Sequence, residues 1–127
     1  MSDRSSLVQR VQAALTDDLR RPPWRGDPNP LAGHCYVACE ALYHLLGGAG
    51  AGYAAYYVKH EGQPHWFLRD ASGAVIDPTV TQFKTTPPYD RARRRRFLPL
   101  GGREEPNAPS ARARVIMRRL RGEIDAG

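Results

Sequence analysis

Apolar residues near the N-terminus recur at three- and four-residue spacing. Leu7, Val8, Val11, Ala14, Leu15 and Leu19 share one helical face, which predicts a helix from about Ser6 to Arg20 that Pro22-Pro23 stops. A second stripe, Ala38, Ala41, Leu42, Leu45 and Leu46, predicts a helix from about Cys35 to Leu46 with Gly47-Gly48 as its C-cap. Residues 24–33 between them are rich in Pro, Gly, Asp and Asn and read as an irregular loop. The pattern then changes to β-favouring runs, and three strands are expected at Tyr53–Lys59, Pro64–Leu68 and Ala74–Asp77, with residues 69–73 as a turn. Pro78 forces Asp77 into an extended conformation and ends the third strand there. Beyond Thr79 the chain through Pro109 reads mostly as loop, with a short helix or edge strand near residues 91–98. Ser110 then caps a last helix with Ala113, Ile116, Met117 and Leu120 as its buried stripe.

These elements make an α+β fold: a helix packed on a small antiparallel sheet, with further helices at both ends. A chain of 127 residues that is 41% hydrophobic supplies one core, so a single domain spanning 1–127 is expected, its centre at about 24–83 and a basic C-terminal extension at 91–127. No run approaches the roughly 20 apolar residues of a membrane span, and the first residues lack a charged-then-apolar signal segment. The chain therefore reads as cytoplasmic, with no membrane partner. Cys35 and Cys39 are its only cysteines; four residues apart on one helix, they are poorly placed for a disulfide and read as thiols. Charge is uneven: residues 1–90 carry 8 basic and 9 acidic side chains, and residues 91–127 carry 11 arginines and 4 acids.

Chemistry enters with three residues in order: Cys35 at a helix start, His65 on a strand, Asp77 at the end of the next strand. Thiol-dependent acyl transfer needs a nucleophile, a base, and a group that orients the base. A turn centred on Ala71 would set His65 directly opposite Asp77, their Cβ atoms about 5 Å apart, close enough for a carboxylate–imidazole hydrogen bond. At a helix N-terminus, unpaired N–H groups and an imidazolium neighbour lower a thiol's pKa, and the same N–H groups can hold an oxyanion. Asn29 and Trp24 are the candidates for a second oxyanion donor.

The order of these blocks resembles the core of papain-like and transglutaminase-like cysteine enzymes, whose His-Trp and Asp-Pro-Thr segments are similar to His65-Trp66 and Asp77-Pro78-Thr79. Gly33-His34-Cys35, Gly47-Gly48, His65-Trp66 and the run from Asp77 through Gln82-Phe83 also resemble small YunG-like bacterial and phage proteins. The resemblance covers about residues 24–83. It implies a catalytic helix on an antiparallel sheet and acyl-transfer, amide-hydrolysis or deamidation chemistry on a peptide or small-molecule amide. The catalytic residues would be Cys35, His65 and Asp77, with no metal and no cofactor, and His34, Trp66 and Gln82 join Asn29 and Trp24 as substrate-contact candidates.

Other readings use the same residues. Cys39, a full turn into the helix, reads as core packing; His34 either flanks the site or simply precedes the helix; His44 and His60 read as surface residues. A structural zinc site would combine Cys35 and Cys39 with His34, His60 or His65. A non-catalytic adaptor would bind nucleic acid or another polyanion through Arg91, Arg93, Arg94, Arg95 and Arg96 and the arginines of 112–121. No candidate acid, base or nucleophile lies beyond residue 90, so the Arg-rich part is expected to be solvated and peripheral to the chemistry.

Overall fold

The computed structural model describes residues 3–20, 25–26, 33–97 and 107–123. Helix α1 (Asp3–Ala13) is followed by α2 (Cys35–Leu45), strands β1 (Ala54–His60), β2 (Gln63–Arg69), β3 (Val75–Ile76) and β4 (Arg93–Arg94), and helix α3 (Ala111–Leu120). The four strands form one antiparallel sheet in the order β3-β2-β1-β4. Helix and strand content thus follow the α+β expectation, and no described helix is long and apolar enough to cross a membrane.

Alternation along the strands separates two sheet faces. Ala55, Trp66, Leu68 and Ile76 share a core with Val37, Ala38, Cys39, Ala41 and Leu42 of α2, Val11 and Ala14 of α1, and Ala113 and Ile116 of α3. The opposite face carries His65 and Phe67, which pack against Phe83 and Tyr89 from the segment after β3. That segment, expected as mostly loop, contains 3-10 turns at Val80–Gln82 and Tyr89–Arg91 before β4 pairs with Tyr56 and Tyr57. The Arg-rich part thus supplies the edge strand and the packed last helix that its sequence pattern led one to expect. Its β4 completes the sheet, and its α3 is built into the helical layer.

Helix α1 ends seven residues short of the expected Arg20. Thr16 adopts an extended conformation (φ −128°, ψ 159°) and Asp17–Leu19 winds as a separate 3-10 turn. Thr and Asp bond their own neighbouring backbone and favour helix ends over interiors, which explains the break at Thr16-Asp17-Asp18. Arg119 of α3 occupies the break, donating to the Ala14 carbonyl at 3.0 Å and Thr16 Oγ1 at 2.7 Å. Arg112 likewise donates to the Leu19 carbonyl at 2.6 Å. These two arginines, expected to be solvated, instead tie α3 to the first segment.

The buried carboxylate of Glu40 on α2 makes a second tie. It accepts from Ser110 Oγ at 2.6 Å and the Ser110 N–H at 3.2 Å, while Ser110 Oγ caps α3 by accepting from the Ala113 N–H. An acid at a helix start is favoured by the helix dipole. The β1–β2 hairpin closes through Glu61-Gly62, both at positive φ (49° and 75°), and the Glu61 carboxylate compensates by accepting from the Lys84 and Thr85 N–H groups.

Candidate active site

Cys35 is the first residue of α2, and its N-cap, His34, makes no side-chain cap. The half-buried thiol approaches β2 from the side. Its Sγ lies 3.7 Å from the Pro64 carbonyl oxygen, and one helical turn later the buried Cys39 Sγ donates to the Trp66 carbonyl at 3.1 Å. Backbone carbonyls lie in the plane of the sheet, pointing to one side of the strand or the other. Pro64 and Trp66 turn theirs away from β1, toward the space where β3 would run had it not ended at Ile76. Both sulfurs therefore occupy the open edge of β2.

His65, fully buried, sits between these two carbonyls in sequence and projects its ring to the face away from α2. Its Nε2 is 2.6 Å from Asp77 Oδ2. A carboxylate only accepts, so Nε2 carries the hydrogen, and in the neutral ring the lone pair is on Nδ1. That Nδ1 is buried without a hydrogen-bond partner. Asp77 also accepts from the Tyr89 hydroxyl at 2.8 Å and the Thr79 N–H at 3.3 Å, which fix the carboxylate. Phe83 meets the imidazole edge to face with ring centroids 4.7 Å apart.

Two expectations about this cluster need correction. The register pairs Leu68 with Ile76 and Arg69 with Val75, which centres the turn on Ser72, not Ala71. Asp77 is thus opposite Phe67 and diagonal to His65. A two-residue displacement preserves the face, so the pair still meets. The thiol is also not acidified. N–H groups of Trp66, Tyr36 and Cys35 favour its thiolate, but burial and the Asp77 charge push the Cys35 pKa up to about 11. Burial pushes Cys39 well above its ordinary value too.

The remaining candidates divide. Trp66 and Gln82 line, with Cys35, a cavity of about 310 Å³. His34 does not: its buried ring is 2.9 Å from the Thr16 carbonyl and anchors the break after α1. Asn29 and Trp24 lie outside the described residues. His60, expected at the surface, is half-buried against Phe83 and bonds Thr85. No group of three His, Cys, Asp or Glu among the described residues is arranged to hold a metal.

Arg91, Arg93, Arg94, Arg95 and Arg96 are all exposed, and Arg95 together with the half-buried Arg112 also lines the cavity beside Cys35. The peripheral assignment of the Arg-rich part therefore fails at these two residues. Tyr89 and Phe83 were also missed; no spacing links either to His65, and only the folded segment after Asp77 brings them there. No family model matches the chain, and no curated protein or solved structure matches it either.

Proposed function

We propose that the chain is a small thiol-dependent enzyme that transfers or hydrolyses the acyl group of an amide or thioester, with Cys35 as nucleophile, His65 as base and Asp77 as the residue that positions His65. The observation that carries this reading is the buried imidazole, whose Nε2–H is committed to Asp77 while Nδ1 has no partner, on the β2 residue that follows the Pro64 carbonyl approached by Cys35. A structural core histidine ordinarily satisfies both nitrogens. The resemblance of the Cys, His and Asp blocks to papain-like and transglutaminase-like enzymes, and to YunG-like proteins, points the same way.

In this mechanism Sγ rotates about χ1 from the Pro64 carbonyl toward Nδ1 and passes its proton there as the S–C bond forms to the substrate carbonyl. The N–H groups at the start of α2 receive the oxyanion. Collapse breaks the C–N or C–S bond, and His65 returns the proton to the departing amine or thiol. Water or an amine then attacks the acyl-enzyme, again losing its proton to Nδ1, and the second collapse breaks the S–C bond as Nδ1 returns that proton to Sγ. Asp77 stays ionised throughout and stabilises the imidazolium.

Incubation with a p-nitrophenyl ester and an N-acyl thioester, followed by intact-mass and peptide mapping, tests this. An acyl adduct on Cys35 that is absent from Cys35→Ala and strongly reduced in His65→Gln is expected. Adducts on Cys39, or equal acylation of wild type and His65→Gln, would overturn it. A second reading, polyanion binding, is favoured by the exposed Arg93 and Arg94 on edge strand β4 and by Arg91 and Arg96 beside it. RNA and DNA titrations at two salt concentrations test that reading, which requires affinity to fall steeply with salt.

A further inference from the structure

The cavity beside Cys35 has one-sided chemistry. Its apolar wall is Tyr36, Tyr57, Pro64 and Trp66, its charged lining residues among those described are Arg95 and Arg112, and no carboxylate among the described residues lines it. Arg95 is held in place with no carboxylate partner among the described residues. Its backbone N–H donates to the Ala55 carbonyl at 3.0 Å, and its guanidinium lies 4.9 Å from the centre of the Tyr57 ring and 5.8 Å from that of Trp66. Stacking fixes the plane of a guanidinium and leaves its N–H edges for a planar anion. Arg112, which donates to the Leu19 carbonyl, also lines the cavity. At about 310 Å³ the space is at the lower end of small-molecule sites, the size of an acylated amino acid or a dipeptide.

We infer that the substrate of Cys35 is a small amide or thioester bearing a carboxylate, which Arg95 clamps against the Tyr57–Trp66 wall while the reactive carbonyl lies at the start of α2. This rests on the assignment of Cys35 as nucleophile. The carboxylate has a direct consequence for selectivity: neutral analogues of the same size lose the clamp, and the Arg-rich segment becomes part of the binding site.

Alkylation of Cys35 by iodoacetate and iodoacetamide reads this out, because the reagents differ only in charge. Relative to the ratio shown by 2-mercaptoethanol, the iodoacetate preference of Cys35 should be about tenfold higher. It should vanish in Arg95→Gln and return in part in Arg95→Lys. Acetate should protect Cys35 from iodoacetamide better than inorganic phosphate does; the reverse order overturns the carboxylate in favour of a phosphate. An unchanged preference in Arg95→Gln also overturns the inference.

Binding is tested apart from reactivity in Cys35→Ala by titrating succinate against the ¹H–¹⁵N signal of the Arg95 Nε–H. A saturable shift supports the clamp, and no shift overturns it. If Cys35 is not the nucleophile, acylation fails while that shift persists; if only the clamp is wrong, Cys35 acylates and the shift is absent.

Discussion

Replacing His65 by Gln removes the only group proposed to take the Cys35 proton while leaving an amide that can still donate to Asp77. The ordinary thiol pKa of 9.0 rises here to about 11, chiefly through burial. At neutral pH this cuts the thiolate fraction about a hundredfold. Greater basicity makes the remaining thiolate more nucleophilic, recovering roughly tenfold of that loss. Without help, Cys35 should therefore react with iodoacetamide about tenfold more slowly than a free thiol. The logarithm of its rate should climb with unit slope from pH 7 until it levels near 11. Transfer of the proton to Nδ1 as the S–C bond forms adds a route that needs no standing thiolate and so operates well below that pH. The wild-type profile should then carry a second, low-pH arm and exceed the variant by about tenfold or more near pH 7. Stopped-time alkylation with mass quantification of the Cys35 peptide across pH 5–11 measures both profiles, and urea midpoints verify that both proteins are folded. Superimposable profiles would refute the base role of His65, whatever their height.

Cys39 should resist alkylation until the protein unfolds, because it is buried and its thiol is engaged by the Trp66 carbonyl; pulse labelling in rising urea should show its modification tracking the unfolding transition. Glu40→Ala should cost about 3 kcal/mol, since it strips the buried Ser110 N–H and hydroxyl of their acceptor, and a urea-midpoint shift below about 1 kcal/mol would contradict that role. On the acid side, the Asp70 carboxyl is held below its ordinary value by bonds from Ser72, Arg4 and Ala74, and that of Glu61 by bonds from Thr85 and Lys84. Both contribute stability that is present above their unfolded pKa values of 3.8 and 4.5 and lost as pH falls through the lower folded values. Asp70→Asn should accordingly narrow the gap between urea midpoints at pH 7 and pH 3.

The helices and the first hairpin could be read from periodicity because each buries a continuous stripe. The limits of α1 and the β2–β3 register could not, and the reasons are local. Helix α1 stops at Ala13 where Thr16 and Asp17 prefer the backbone bonds of a new turn, a preference that the apolar stripe running on to Leu19 conceals. The register depends on Asp70, whose Oδ1 accepts from the Ser72 N–H at 2.9 Å, Ser72 Oγ at 2.6 Å and the Ala74 N–H at 3.0 Å. This side-chain turn enlarges the loop and moves its centre one residue onward, displacing the pairing by two. The His65–Asp77 contact was legible despite that error because alternation depends on parity alone. Arg95 was not legible: in a run of four like residues nothing local distinguishes the one that stacks on Tyr57 from its solvated neighbours.

The shortness of β3 is what makes the candidate site. Had the strand continued past Ile76, its backbone would have paired with β2 at Trp66 and Pro64, and neither sulfur could have reached those carbonyls. Pro78 has no N–H to extend the ladder and restricts Asp77 to extended geometry, so one residue both opens the edge of β2 and directs the carboxylate that follows β3. Its own carbonyl is taken by Gln12 of α1 at 2.7 Å, which ties this turn to the helical layer. The edge lies between the two faces of the sheet. Trp66 and the cavity are on one face, the His65–Asp77–Tyr89 cluster is on the other, and α2 begins at the opening between them. In the proposed mechanism a thiol placed there turns from the ligand side to the imidazole side by rotation about χ1. The same arrangement explains why an unactivated thiol is compatible with the proposed chemistry: the proton needs to leave only when χ1 carries Sγ from Pro64 to Nδ1, so reactivity is tied to the geometry of attack and not to a standing thiolate.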